Sequence, residues 1–134
     1  MNFSSTKSYA IQAVLSLAHA EAGHPVPCRV LAQQGGLPER FLLQILRRLV
    51  TRGILHSVRG VEGGYTLGKE PGLISLLEIV EGLDRAAKPK PPHFKGLPVC
   101  VQNRVASVIE RLIAAERNEL QRVSVADLLT NDWQ

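Results

Sequence analysis

Two sets of side chains in this sequence could do chemistry: arginines set among glutamine and glycine in the first half, and two widely separated thiols. Arg40 and Gln44 stand one helical turn apart in a run with helical periodicity. A guanidinium there can donate two hydrogen bonds to guanine, and a glutamine amide can pair similarly with adenine. Arg59 stands at the shoulder of Arg59-Gly60-Val61-Glu62-Gly63-Gly64, where glycines let the main chain approach phosphates closely. The plainer reading of Gly60, Gly63 and Gly64 is tight-turn geometry, and it holds alongside the other. Cys28 and Cys100 are the only cysteines, too few for a disulfide framework or, within one chain, a four-cysteine metal site. Cys100, at the start of an expected helix, is a candidate redox sensor. With His93 it could also supply ligands to a site shared by two subunits. The simpler account is a half-buried thiol and a solvated histidine. Cys28 reads as a small apolar residue opening a helix, and His19, His24 and His56 have no metal-ligand spacing. No Ser-His-Asp order, phosphate loop or framed carboxylate pair is present, and Glu116 with Glu119 reads as a solvated helix face, so no enzyme is expected.

The chain that must position these groups has 134 residues, 45 % of them apolar, enough for a real core. No window approaches the roughly 20 apolar residues of a membrane span, and the start lacks the order of a secretion signal. A soluble, cytoplasmic protein is expected. Net charge is +4, and all of it falls in residues 1–68, which hold seven basic and three acidic groups; residues 69–134 hold nine of each. Five arginines and no carboxylate lie between Arg40 and Val61. Such a run is either a solvated helix face or the footprint of a polyanion binder.

Ala10, Val14, Leu17 and Ala18, widened by Ile11 and Leu15, predict a first helix with Thr6 as N-cap and a stop at Gly23 and Pro25. A short helix from about Cys28 to Gln34 ends at Gly35-Gly36, and a third starts near Pro38. Its buried side is expected to be Phe41, Leu42, Ile45, Leu46 and Leu49. Ile54–Val58 and Tyr65–Leu67 predict a hairpin across the glycine-rich loop. Ser75 and Glu78 have capping-box spacing ahead of another helix. Pro89, Pro91, Pro92 and Pro98 mark residues 86–99 as an extended linker. A helix of roughly 33 Å then runs from about Cys100 to Arg122, and Ser124-x-x-Asp127 starts a last short one.

Ala32, Gly36 and Leu42 have helix-turn-helix spacing, a weak signal alone because ordinary helical corners share it. A hairpin with Arg and Gly at its tip directly afterwards completes the order of a winged helix, in which one helix enters the major groove and the hairpin reaches the minor groove. The two together point to double-stranded DNA. The runner-up is a winged-helix protein-interaction module without specific DNA binding, against which the arginine-bearing wing speaks.

The chain resembles the BadM/IscR/NsrR (Rrf-type) family of bacterial winged-helix transcription regulators. The matching stretches are Ser5–Ala10, Ser57-Val58-Arg59-Gly60 with Gly63-Gly64-Tyr65, Ile74-Ser75 through Ile79–Gly82, and Val123–Leu128. The resemblance implies a homodimer, held by the long helix, on a partly palindromic operator. It places the wing arginine on Arg59 and recognition-helix positions on Arg40, Leu43 and Gln44. Three departures are visible. Leu43 stands where several relatives carry a base-reading glutamate, and Val61-Glu62 replaces the usual proline-glycine of the wing tip. Cluster-binding relatives carry three cysteines around the start of the long helix; here only Cys100 lies there, with Asn103 near the place of another. A protein without an iron–sulfur cluster, and without a metal, is expected.

In the long helix Val101, Val105, Val108, Leu112 and Ala115 step by 4, 3, 4 and 3, a dimerisation seam, while Ile109, Ile113 and Leu120 form a second flank. A helix sandwiched within one subunit is the alternative. The expected fold is mainly α with a small β-hairpin: a winged helix-turn-helix domain over residues 1–85, the linker 86–99, and dimerisation plus short C-terminal helices over 100–134. Within it Arg40 and Gln44 are expected to read bases, Arg59 with Gly60 to work along the minor groove, and Thr6 with Lys7 to hold phosphates. The regulator is expected to act as a repressor.

Overall fold

Apolar residues recurring every three to four positions make the first helix, α1 (Ser5–His19), which buries Ala10, Ala13, Val14 and Leu17. The computed structural model that shows it describes residues 4–20, 23–83 and 94–129. His93 and the prolines at 89, 91 and 92 lie outside the described residues. Ser4, not Thr6, caps α1: its side chain accepts from the Lys7 amide at 3.4 Å. The cap stands two residues earlier than expected, and Thr6 is left exposed within the first turn.

Two helices follow, α2 (Cys28–Gly35) and α3 (Glu39–Thr51). Gly36 ends α2 in the left-handed conformation (φ 63°), where a side chain would be strained, and its amide returns to the Ala32 and Gln33 carbonyls. Pro38 stands just outside α3 as its cap residue. Leu42, Ile45, Leu46 and Leu49 face inward as expected, but Phe41 does not; it is 61 % exposed. The apolar arc of α3 is narrower than its sequence suggests, and Phe41 falls just beyond its edge.

The hairpin joins β1 (Leu55–Val58) to β2 (Gly64–Leu67), antiparallel, with Leu55 opposite Leu67 and Val58 opposite Gly64. After a 3₁₀ turn at Pro71–Leu73 come α4 (Leu76–Glu81), α5 (Val99–Arg122) and α6 (Val125–Leu128). Ser75 accepts from the Glu78 amide at 3.1 Å, but the Glu78 carboxylate pairs with Lys69, so that box is half made. At Ser124 and Asp127 both halves are present. The starts of α4 and α6 are themselves paired: Leu76 N donates to Val123 O at 2.9 Å and Val125 N to Ile74 O at 2.8 Å. This carries Val125, from the far end of the chain, into the core beside Ile74 and Ile79.

The core gathers α1, α2, α3, the start of the hairpin, α4 and α6. The long helix α5 packs on α4, where Arg117 forms an ion pair with Glu81, yet none of its 24 residues is buried. Among the described residues no helix is long and apolar enough to cross a membrane.

Candidate nucleic-acid interface

The leucines and isoleucine on one side of α3 anchor it, which leaves Arg40, Gln44, Arg47 and Arg48 exposed on the other. Arg40, Gln44 and Arg47 fall at i, i+4 and i+7, one line along the helix. Leu43, between them, is half-buried. Arg48 is held in place: its Nη1 donates to the Leu83 carbonyl oxygen at 3.2 Å, tying the last turn of α3 to the end of α4.

The wing does not hang free. Val26 N donates to Tyr65 O at 3.0 Å, and Tyr65 N to Val26 O at 2.9 Å, so an isolated antiparallel bridge ties the segment before α2 to the outer edge of the hairpin. Pro25 and Pro27 lack an N–H, so Val26 is the residue that can pair in both directions. Gly64 makes this approach feasible. A Cβ there would lie 2.4 Å from the Val26 carbonyl carbon, at a φ of +153°. Sequence reasoning missed this clamp, although the Pro-Val-Pro triplet is its signal.

Arg59 and Gly60 are exposed at the start of the wing loop, where Gly60 O accepts from Gly63 N at 3.0 Å. Val61 is wholly exposed at the tip, with exposed Glu62 beside it. Thr6 joins Gln44 and Arg48 around a cavity of about 400 Å³ between α1 and α3. Lys7, half-buried on the first turn of α1, is not among that cavity's lining residues. Gln44 therefore shares a surface with Phe41, the residue that the apolar pattern assigns to the buried side.

Both thiols are located. Cys28 is half-buried, with Sγ 3.7 Å from the Glu39 carbonyl oxygen; burial, then the nearby Glu39 carboxylate, pushes the thiol up. Burial first, and the Cys28 thiolate second, raise the Tyr65 phenol as well, against a pull from Arg47. Cys100 is exposed in the first turn of α5. Along α5, Val101, Val108 and Leu112 are 37 %, 55 % and 59 % exposed. Ala115 is exposed and Val105 half-buried; Ile113 of the second flank is also exposed, whereas Ile109 and Leu120 are half-buried.

The family model described as "Rrf2: Iron-dependent Transcriptional regulator" matches residues 3–131. The chain belongs to the Rrf2 family. The HTH-type transcriptional regulator IscR of Citrobacter koseri is 38 % identical over 87 residues, which cover 64 % of this chain and 53 % of that protein. The chain thus matches about half the length of such curated relatives. Among solved structures, T. potens IscR is similar with a TM-score of 0.77 at 29 % identity, covering 96 % of this chain and 85 % of that one. CymR of B. subtilis gives a TM-score of 0.70 at 25 % identity, covering 96 % and 95 %. The fold is that of these winged-helix Rrf2 regulators, mainly helical with a two-stranded wing.

The name of the Rrf2 model raises iron, and the donors can be tested against it. A protein-bound cluster takes about four ligands, chiefly thiolates. The sequence has two cysteines, and Cys28 is engaged at the start of α2, where its Sγ meets the Glu39 carbonyl oxygen. Among the described residues no three His, Cys, Asp or Glu side chains are grouped to hold a metal ion. This donor set does not fit an iron–sulfur cluster within one chain.

Proposed function

We propose that this Rrf2 protein is a sequence-specific DNA-binding transcription regulator, not an enzyme, that works as a homodimer on a partly palindromic operator. The observation that carries the reading is the clamp between Val26 and Tyr65. It ties the second strand of the arginine-bearing wing to the segment that leads into α2, which supports a reading in which Arg59 and the Arg40–Gln44 face of α3 act on one duplex. Arg40 and Gln44 read base edges in the major groove, Arg59 and Gly60 follow the wing along the backbone and minor groove, and Thr6 and Lys7 contact phosphates.

The dimer is supported by α5. A 24-residue helix with apolar residues in seam spacing and none of them buried has a face that the described residues of its own protomer leave open. A second α5 covers it, and the two-fold axis that results places two α3 helices on two half-sites. Occupying promoter DNA excludes other proteins from it, so repression is the action that needs no further surface. The protein is placed in the cytoplasm with its DNA. It works without a cluster or metal, and exposed Cys100 is the candidate redox group.

Sequencing of genomic fragments retained by the purified protein tests this. Enrichment of one partly palindromic motif is the expected outcome; retention without any shared motif would leave a non-specific or protein-directed module instead.

A further inference from the structure

Phe41 has the sequence setting of a core residue, beside Leu42 and four before Ile45, yet α3 turns it out to 61 % exposure. Phe41, Gln44 and Arg48 fall at i, i+3 and i+7, a second exposed line on the recognition helix. Together with Ser5, Thr6 and Tyr9 of α1 they line the cavity of about 400 Å³ that opens between the two helices. The setting is basic: Arg40 precedes Phe41, Arg48 lies on the same line, and no carboxylate follows until Glu62. Glu39, the one carboxylate on α3, stands beside Cys28.

A large apolar side chain in such a place needs a partner that is polyanionic as a whole and apolar at one point. Duplex DNA meets both conditions. The major-groove edge of a base pair offers hydrogen-bonding groups and one apolar group, the 5-methyl of thymine. We propose that Phe41 is a specificity-determining residue that reads a thymine methyl in the major groove, next to the bases contacted by Arg40 and Gln44. The proposal deepens the DNA-binding reading and rests on it. It follows from position: Phe41 sits in the first turn of α3, one residue from Arg40 and one turn from Gln44, so a base edge within reach of those two is within reach of its ring.

The test uses a duplex selected by the wild-type protein, resynthesised with single thymines replaced by deoxyuridine, which removes only the methyl. Wild-type protein should bind about fourfold more weakly when one particular thymine of a single half-site is replaced, the factor for one apolar carbon buried. Phe41→Ala should bind the thymine and deoxyuridine duplexes equally at that position, with unchanged sedimentation. Phe41→Leu, which keeps an apolar surface there, should retain part of the discrimination. Wild-type indifference to every replacement, or an undiminished penalty in Phe41→Ala, would overturn the proposal. So would a Phe41→Ala protein whose oligomeric state changes while its methyl discrimination does not, since the ring would then belong to a contact between copies. If no sequence is selected at all, the DNA-binding reading itself has failed. If an operator is selected but no thymine methyl matters, this inference alone has.

Discussion

Val108→Ala with Leu112→Ala tests the dimer most cleanly, because alanine keeps the helix while removing the seam. The two substitutions delete two and three carbons, worth about 4 kcal/mol per subunit if fully buried at ~0.8 kcal/mol each. In the protomer these side chains are already part-covered, 55 % and 59 % exposed, so a partner helix can bury only the remainder. That remainder is about 2.3 kcal/mol per subunit, or roughly 4–5 kcal/mol for the pair of subunits, a ~10³-fold rise in the dimer dissociation constant. Sedimentation equilibrium across nanomolar to micromolar concentrations reads the change directly. Because neither side chain is in the core, the variant should unfold as cooperatively as the wild type, but its melting temperature should lose the concentration dependence of a coupled dimer. A wild-type monomer at micromolar concentration, or a variant that dimerises like the wild type, would refute the reasoning.

Gly64→Ala forces a Cβ against the Val26 main chain, 2.4 Å from its carbonyl carbon, so it should break the wing clamp. DNA affinity should fall steeply and stability by about 1–3 kcal/mol, measured by titration and denaturant melts. Hydrogen bonds from Ser124, backbone first and side chain second, hold the Asp127 carboxyl below its ordinary 3.8, so its ionised form favours the folded state. That stability is present above the unfolded value and lost as pH falls through the lower folded one. Asp127→Asn should therefore cost stability at neutral pH, with the gap to wild type closing below about pH 4 in denaturant melts. An alkylating reagent should label exposed Cys100 first; the raised Cys28 thiol should follow slowly and speed up as pH rises, as mass spectrometry of timed samples would show. Anaerobic purification should yield far less than one iron per chain, whereas stoichiometric iron with visible absorption, lost in Cys100→Ala, would contradict the cluster-free reading.

Much of the fold could be read from periodicity because most of its elements are local. The stripes of α1 and α3, the left-handed glycine at 36 and the capping box at Ser124 each depend on neighbours within a turn. The misreadings have physical causes. Thr6 and Ser4 are both competent caps by residue type, so composition alone does not choose between them, and the helix starts from Ser4. Glu78 has the right spacing to return to Ser75, but Lys69, nine residues earlier, competes for its carboxylate. Phe41 is apolar and at the edge of a stripe, and a helical wheel does not say where the covering layer stops. The two long-range pairings, Val26 with Tyr65 and Ser75 with Ser124, lie beyond any local pattern. For the proposed interface, Arg40, Gln44 and Arg59 stand out in the sequence because charge and amide chemistry differ from the core pattern. Gln44's place beside Thr6 needed the packing of α1 on α3.

The central claim is a DNA surface built jointly by α3 and the wing, and a titration of the selected operator against a scrambled duplex of equal length and ionic strength tests it most directly. The ratio of dissociation constants should be about 10³ or more at physiological salt. It should shrink in Arg40→Ala, which should cost about 1–3 kcal/mol at one position per half-site, whereas Lys7→Ala should weaken both duplexes alike and flatten the salt dependence. A wild-type ratio near one, or ratios unchanged in both Arg40→Ala and Arg59→Ala, would contradict the account.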